Sequence, residues 1–174
     1  MIKFIKVTEE RFDAVYKKME SAFPYEERRD SNGQRENFQN SHFNFFEIID
    51  GDTPVGLISP WVFENFVFVE HLAIDSDKRS GGYGSKAMQL LKETYKKPII
   101  LEVEPPTDEQ KIKRIRFYER LGFNMNGYDY FQPSFHGTDE TVPLKLLSYP
   151  TPLSQGEFED FFKLTRKEVY RQNI

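Results

Sequence analysis

Three glycines and two basic residues lie together directly after an apolar segment that is predicted to be a strand. The predicted strand covers residues 66–75, and the following turn contains Lys78-Arg79-Ser80-Gly81-Gly82-Tyr83-Gly84 before a helical pattern begins. Such a turn presents backbone N–H groups at the positive end of a helix dipole, which is an arrangement that binds phosphate. Arg79 and Lys78 could add charge-assisted contacts to a pyrophosphate. The alternative is a tight strand-to-helix turn without a ligand, which a glycine cluster by itself favours.

The glycine spacing differs from two common nucleotide-binding motifs. The dinucleotide fingerprint G-x-G-x-x-G is absent because the cluster reads G-G-x-G. The P-loop is absent because no Lys-Ser or Lys-Thr pair follows the required glycine. Dinucleotide oxidoreductases and P-loop phosphoryl-transfer enzymes are therefore disfavoured.

Two motifs in a fixed order resemble the GNAT superfamily of N-acyltransferases. The first is Arg79-x-x-Gly82-x-Gly84, which is similar to the acyl-CoA signature of that family. The second begins with Ile99-Ile100-Leu101-Glu102-Val103-Glu104, which resembles the fifth strand of that family. It continues with Phe117-Tyr118-Glu119-Arg120-Leu121-Gly122-Phe123, which is similar to the end of the following family helix, F-Y-x-x-L-G-F. Each motif alone is weak, but both together, about forty residues apart and in matching elements, are specific. The resemblance covers about residues 2–147.

The resemblance implies a mixed α/β fold. We expect a twisted mixed sheet of about seven strands, flanked by helices, with a V-shaped opening between the strands of residues 66–75 and 98–104 and an extra C-terminal helix. Acetyl-CoA would bind in this opening as the co-substrate, with its pantetheine arm paired to the backbone of Leu72, Ala73 and Ile74 as in β-augmentation. The pyrophosphate would bind Arg79 and the N–H groups of Gly81, Gly82, Tyr83, Gly84 and Ser85.

Acyl transfer from a thioester to an amine needs a deprotonated amine and an acid for the departing thiolate. Tyr118 matches the acid of the family, because a phenol with an ordinary pKa of about 10 is protonated at neutral pH. Its alternative role is packing in the apolar stripe of its helix, and a tyrosine can do both. Glu70 is the candidate base, since it is a carboxylate within an apolar strand. Its alternative role is a salt bridge to a nearby Lys or Arg.

Strict alternation along the predicted strand places Glu70 and His71 on opposite faces. The face of Glu70 then also carries Phe68 and Leu72, and only one of the two polar side chains can face the acceptor. His71 is expected to be packed rather than catalytic. A backbone N–H of residues 72–74 is the expected oxyanion donor.

The resemblance places the amine acceptor near the segment after the first helix and near the last hairpin. The candidate contacts are Tyr25, Glu26 and Tyr130, because aromatic rings and carboxylates attract an ammonium group. For Glu26 the alternative is an exposed helix face with paired charges. The acceptor is expected to be a small-molecule or peptide amine.

These residues predict an N-acetyltransferase that transfers the acetyl group of acetyl-CoA to a primary amine by direct attack in a ternary complex. The alternative is a CoA-binding sensor or interaction module of the same fold without catalysis. No metal is expected in either case, and a homodimer is a further expectation.

Hydrophobic periodicity predicts the elements that position these residues. The predicted strands are residues 2–7, 42–50, 54–63, 66–75, 98–104, 123–132 and 141–149. The predicted helices begin after Thr8, after the glycine turn, at residues 108–121 and after Pro152, and residues 25–40 are predicted to be a short helix and an exposed loop. We expect an acyltransferase domain over residues 1–149, on which a helical extension, residues 150–174, packs.

Composition excludes several classes of protein. The chain has 174 residues and a formal charge of −4, from 24 Lys and Arg against 28 Asp and Glu, so a nucleic-acid partner is not expected. It has no cysteine, which excludes disulfides, thiolate catalysis and thiolate metal sites. The N-terminal residues alternate charged and apolar side chains, unlike a signal peptide. We therefore expect a cytoplasmic protein with no membrane partner.

Overall fold

The computed structural model describes residues 1–173 and contains two compact units, residues 1–99 and residues 100 onward. The strands in the described residues are β1 (Ile2–Lys6), β2 (Phe46–Asp50), β3 (Thr53–Val62), β4 (Val67–Ile74), β5 (Ile99–Val103), β6 (Asn124–Met125), β7 (Tyr130–Pro133) and β8 (Thr141–Tyr149). The α-helices are α1 (Glu9–Ala22), α2 (Ser31–Glu36), α3 (Tyr83–Tyr95), α4 (Glu109–Arg120) and α5 (Gln155–Leu164). The prediction of a mixed α/β fold is confirmed, with eight strands in place of about seven.

The first unit is an antiparallel sheet with the strand order β1-β2-β3-β4. Helix α1 buries the apolar stripe that its 3.6-residue period predicts, namely Phe12, Val15, Tyr16 and Met19. Gly51 and Asp52 form the turn that connects β2 to β3. These elements pack around the C-terminal end of β4, after which the glycine-rich turn begins.

Residues 25–40 are more ordered and more buried than a short helix with an exposed loop. A 3₁₀ turn at Tyr25–Glu27 precedes α2, and a second 3₁₀ turn follows it. Arg29, Gln34 and Asn37 are buried. The prediction of an exposed loop is therefore wrong for these three residues, because polar composition alone does not show which polar side chains the fold buries.

A β-bulge in β4 overturns the predicted face assignment. Ser59 of β3 pairs with His71 and Pro60 pairs with Val69, so Glu70 is an extra residue without a cross-strand partner. Neighbouring residues of β3 face opposite sides, and Val69 and His71 therefore face opposite sides too. The strict alternation predicted for residues 66–75 is wrong beyond Val69.

In the second unit, β8 lies between β5 and β6, and β7 pairs with β8. The predicted single strand at residues 123–132 is instead two short strands, β6 and β7. The C-terminal segment packs within this unit: Tyr128 stacks on Phe158 of α5 with ring centroids 4.1 Å apart. Asn126 also accepts a 2.7 Å hydrogen bond from the backbone N–H of Leu153. The domain boundary after Tyr149 stays a prediction.

Residues 1–173 contain neither a membrane-spanning helix nor a group of side chains suited to a metal ion. No helix among them is both long and apolar enough to cross a membrane. No group of three or more His, Asp or Glu side chains in that range is arranged to hold a metal ion.

Candidate active site

The turn between β4 and α3 has the backbone geometry of an anion-binding site. Gly82 is the N-cap of α3 and has a left-handed backbone with φ of 74°. The next residues begin the helix, so the N–H groups of Tyr83, Gly84 and Ser85 have no carbonyl one turn earlier in the helix to bind. Ser80 is also left-handed, with φ of 69°, which is costly for a residue with a side chain. The conformation of this turn suits a phosphate at the helix N-terminus.

Arg79 and the end of β4 lie beside this turn. The Nε of Arg79 donates to the Ile74 carbonyl at 3.4 Å. Leu72, Ala73 and Ile74 are half-buried, whereas the first residues of β4 are buried. A pocket of about 340 Å³ adjoins Ala73, Ile74 and Arg79, and α1 lines its other side with Lys17 and Lys18. Three of the predicted cofactor residues, Ala73, Ile74 and Arg79, therefore line one pocket.

Gly56 of β3 allows a close approach to the predicted pantetheine strand. Gly56 pairs with Ile74. A Cβ atom on Gly56 would lie 2.3 Å from the Ala73 carbonyl oxygen and 3.1 Å from the Ile74 Cα. Only glycine fits at this position with the present path of β4.

Glu70 is the bulge residue, and its carboxylate is enclosed by two partners. Its Oε1 lies 2.8 Å from Nη1 of Arg29, and both side chains are buried. Its Oε2 accepts a 2.9 Å hydrogen bond from the indole N–H of Trp61. The salt bridge that the sequence left open for Glu70 is present, and the base role stays a prediction.

His71 is packed, as predicted, but on the same side as the Glu70 carboxylate. Its Nδ1 lies 3.8 Å from Oε2 of Glu70, so the expectation that the two side chains face opposite sides is wrong. Burial lowers the pKa of His71, which favours the neutral ring. Its Nε2 lies 2.7 Å from the Glu27 carbonyl oxygen, which can only accept, so Nε2–H donates there.

These contacts attach the predicted acceptor segment to β4. Arg29 of the segment pairs with Glu70 of β4, and the Glu27 carbonyl accepts a hydrogen bond from His71 of β4. The Tyr16 hydroxyl of α1 donates a further hydrogen bond to the Arg29 carbonyl at 2.6 Å. Tyr25 lies two residues before the first of these attachment points, Glu27, and is 56% exposed. Glu26 beside it is exposed as well. The two predicted acceptor contacts are therefore available at the surface of an anchored segment.

Tyr118 lies near the end of α4 in the second unit and is 9% exposed. Its ring packs edge-on against Phe117 and Phe123, with centroids 5.0 and 5.6 Å away. Burial raises the pKa of Tyr118 to about 12, and the nearby charge of Arg114 opposes part of that rise. The hydroxyl therefore keeps its proton at neutral pH, as an acid must.

Tyr130 is a buried residue rather than a surface contact. Its side chain is 3% exposed, and its hydroxyl lies 3.0 Å from Oε1 of Glu102 and 3.3 Å from Nη1 of Arg166. Burial, with the neighbouring Glu102 charge, raises the pKa of Tyr130 well above its ordinary value. The acceptor role of Tyr130 stays a prediction.

Comparison with known proteins decides the family. The model of the "Acetyltransferase (GNAT) family" matches residues 12–123, which include the glycine turn and Tyr118. The chain belongs to the GNAT acetyltransferase family. The resemblance inferred from the two motifs is thereby confirmed.

Three relatives illustrate how widely the GNAT fold is shared. "Putative acetyltransferase from GNAT family from Bacteroides thetaiotaomicron" is 31% identical, covers 99% of both chains and superposes with a TM-score of 0.90. "Putative acetyltransferase YjbC" of Bacillus subtilis (strain 168) is 28% identical over 89% of this chain and 80% of its own length. Arabidopsis thaliana Naa50, solved with the bisubstrate analogue CoA-Ac-MVNAL, is 16% identical over 84% of this chain and 97% of its own, with a TM-score of 0.61.

The sequence of this GNAT protein did not single out four residues that contact the predicted site residues. Arg29 and Trp61 contact Glu70, and Glu102 and Arg166 contact Tyr130. Of these four residues, only Glu102 has a sequence feature that could have identified it, because it is a carboxylate within the apolar segment Ile99–Val103. The other three have ordinary sequence surroundings, and only the packing shows their partners.

Proposed function

We propose that this protein is an N-acetyltransferase that transfers the acetyl group of acetyl-CoA to a primary amine. The observation that carries the proposal is the start of α3, where left-handed Gly82 exposes three backbone N–H groups beside Arg79. A pyrophosphate carries negative charge and hydrogen-bond acceptors, which match those groups. Membership of the GNAT acetyltransferase family supports acetyl-CoA as the source of that pyrophosphate.

The pantetheine arm would extend along the end of β4. Leu72, Ala73 and Ile74 supply backbone hydrogen bonds there, and one of their N–H groups would stabilise the oxyanion of the tetrahedral intermediate. This use of β4 requires backbone groups and no particular side chains. The half-burial of these three residues supports it.

Tyr118 would protonate the departing thiolate. Its raised pKa, about 12, lies above the ordinary pKa of a thiol, about 8.5, so proton transfer to the thiolate is unfavourable by itself and goes to completion because the phenolate takes up the proton that the new amide nitrogen loses. The benefit is that Tyr118 is fully protonated when the thioester bond breaks. Direct attack by the amine then needs no covalent enzyme intermediate.

The acceptor would be a small-molecule or peptide amine bound near Tyr25 and Glu26. Their exposure on a segment anchored to β4 supports this place. Naa50 binds an analogue in which CoA is joined to a peptide, which supports a peptide amine as one acceptor class. For Glu70, the contacts with Arg29 and Trp61 support a role in anchoring this segment.

The test is calorimetric titration with acetyl-CoA, with ATP and NAD as controls. We expect one acetyl-CoA to bind per chain and neither control to bind. Gly84→Glu should abolish binding, because it adds a carboxylate where phosphate is expected, whereas neutral Gly84→Gln should retain more affinity. Equal affinities of both variants and the unaltered protein would refute the assignment of the turn.

Release of CoA thiol in the presence of amines then tests catalysis. Spermidine, kanamycin and a tetrapeptide with a free N-terminus represent three acceptor classes. Acetyl-CoA binding without thiol release for any amine would favour the sensor over the enzyme.

A further inference from the structure

The glycine turn between β4 and α3 is attached to the sheet by a side chain to which the proposed function gives no role. The hydroxyl of Tyr83, the first residue of α3, donates a hydrogen bond to Oδ2 of Asp50 at 2.9 Å. Asp50 is the last residue of β2 and lies 33 positions earlier in the sequence. The phenol thus connects the helix that begins at the turn to the end of a strand.

Asp50 is a fixed point because its backbone is paired on both sides. It pairs with Ile2 of β1 and with Thr53 of β3. Its side chain is 34% exposed, and Oδ1 lies 3.2 Å from the ammonium group of Met1. That ammonium group is exposed, and ion pairs at the surface contribute little to stability. The neighbouring strands, rather than this exposed contact, therefore fix the position of the carboxylate.

The hydrogen bond between Tyr83 and Asp50 is charge-assisted. By donating this bond, the Tyr83 hydroxyl lowers the pKa of Asp50, which is therefore ionised at neutral pH. The same bond raises the pKa of Tyr83, so the phenol keeps the proton that it donates. Hydrogen bonds to an ionised acceptor are roughly twice as strong as those between neutral groups. A bond of this kind holds the phenol at one position.

The ring of Tyr83 packs against the backbone of the turn. A Cβ atom on Gly81 would lie 3.1 Å from Cε2 and 3.2 Å from Cδ2 of this ring, so a side chain there would press against it. The Nζ of Lys86, one turn later in α3, lies 5.1 Å from the ring centre. Movement of the ring would therefore displace Gly81 and the N–H groups that follow it.

The first half of the turn is held in a different way. The N–H of Asp75 donates to the Val55 carbonyl of β3 at 2.8 Å, and the N–H of Lys78 donates to the Asp75 carbonyl at 2.8 Å. Ser80, with its left-handed backbone, lies between these bonds and Tyr83. Strained backbone of this type persists only where the surrounding structure determines it. The contact of Tyr83 with Asp50 supplies the attachment on the helical side.

We infer that Asp50 and Tyr83 are positioning residues for phosphate binding, because their hydrogen bond holds the N–H groups at the start of α3 in the arrangement that receives the pyrophosphate. The inference rests on the proposed function. It gives a favourable role to a carboxylate whose charge alone opposes an anionic ligand. The sign of the effect is therefore diagnostic: removal of a bystander carboxylate would strengthen phosphate binding, whereas removal of a positioning carboxylate weakens it.

Calorimetry on the full chain tests the sign. Tyr83→Phe removes the hydroxyl and keeps the ring, and it should raise the Kd for acetyl-CoA about fivefold, as expected for one hydrogen bond. Asp50→Ala should raise this Kd by at least about the same factor, although it removes a negative charge. Asp50→Asn keeps an oxygen acceptor and should restore most of the affinity. If Asp50→Ala does not fold, Tyr83→Phe and Asp50→Asn decide the matter.

Two variants control for the loss of a charge and of a phenol. Asp77→Ala removes a carboxylate that lies in the turn itself, is 75% exposed and lies 3.9 Å from Nζ of Lys78. It should leave the Kd for acetyl-CoA unchanged or lower it. Tyr128→Phe removes a hydroxyl that donates to the Leu153 carbonyl at 2.8 Å in the second unit, and it should leave the Kd unchanged.

Two fragments of the cofactor separate positioning from general damage. Adenosine 3',5'-bisphosphate carries phosphate but no pantetheine, so its Kd should rise in Tyr83→Phe by about the same factor as that of acetyl-CoA. S-acetylpantetheine lacks phosphate. Its KM as the acetyl donor, measured with the amine that the unaltered protein acetylates fastest, should change less than about twofold. A merely structural contact would lower the free energy of unfolding in urea and leave both constants in place.

The outcomes distinguish the two proposals. If Tyr83→Phe and Asp50→Ala bind acetyl-CoA as tightly as the unaltered protein or more tightly, the inference is overturned, while binding by the unaltered protein still supports the proposed function. An equal rise in the KM for S-acetylpantetheine would also overturn the inference, because the damage would not be confined to phosphate contacts. An unaltered protein that binds neither acetyl-CoA nor adenosine 3',5'-bisphosphate would overturn both proposals.

Discussion

Replacing Gly56 with alanine tests how closely the position of β4 controls cofactor binding. The added Cβ would lie 2.3 Å from the Ala73 carbonyl oxygen, whereas ordinary contacts begin at 3.4 Å. The Ala73–Ile74 backbone must therefore move by roughly 1 Å, at a cost of about 1–3 kcal/mol in stability. Loss of two backbone hydrogen bonds to pantetheine, at about 1 kcal/mol each, raises the Kd for acetyl-CoA about 30-fold.

Calorimetry with two ligands separates this effect from general damage. Adenosine 3',5'-bisphosphate lacks the pantetheine arm, so its Kd should change less than about twofold in Gly56→Ala. Gly127→Ala is the control, because a Cβ there meets no atom within 4 Å. An equal loss of affinity for both ligands, or a folded Gly56→Ala protein with unaltered acetyl-CoA affinity, would refute the reasoning.

Three further predictions concern Tyr118 and the buried ion pair. Tyr118→Phe should lower kcat about 100-fold and leave the Kd for acetyl-CoA unchanged; full activity in the thiol-release assay would remove Tyr118 from the mechanism. The same variant should be more resistant to alkali. The folded pKa of about 12 exceeds the unfolded value of 10.0, so the contribution of Tyr118 to stability is complete below pH 10, and about 2 kcal/mol of it is lost by pH 12. Urea unfolding of the unaltered protein and of Tyr118→Phe from pH 8 to 12 measures that difference. The same dependence of the unfolding free energy on pH in both proteins would contradict the prediction. Arg29→Met should lower the free energy of unfolding by about 3–5 kcal/mol because it leaves Glu70 buried without its cation, and adding Glu70→Leu should recover most of the loss; an additive loss in urea titrations would disprove the coupling.

Local patterns in the sequence predicted the parts of the structure that depend on neighbouring residues. The stripe of α1 has a 3.6-residue period, and its residues are buried as expected. The turn was predicted from the glycine cluster between a predicted strand and a predicted helix, and Gly82 is the N-cap of α3. Burial of Tyr118 followed from its place in the stripe of α4.

Features that depend on distant partners were not predictable in this way. The bulge at Glu70 exists only in relation to the register of β3, and a single strand gives no sign of it. Burial of Arg29 requires the Glu70 carboxylate, which lies 41 positions later in the sequence. The support that Arg166 gives to Tyr130 joins positions 36 residues apart. Pairings of this kind have no period along the chain.

The bulge also means that one particular deletion would preserve the register of β4 with β3, although it would remove the buried partner of Arg29. Removing a residue from a regular strand turns every later side chain to the wrong face of the sheet. In β4, however, Val69 and His71 already pair with the adjacent residues Pro60 and Ser59. Deletion of Glu70 would therefore give β4 regular pairing with β3, and the side chains before and after residue 70 would stay on the sheet faces that they occupy now.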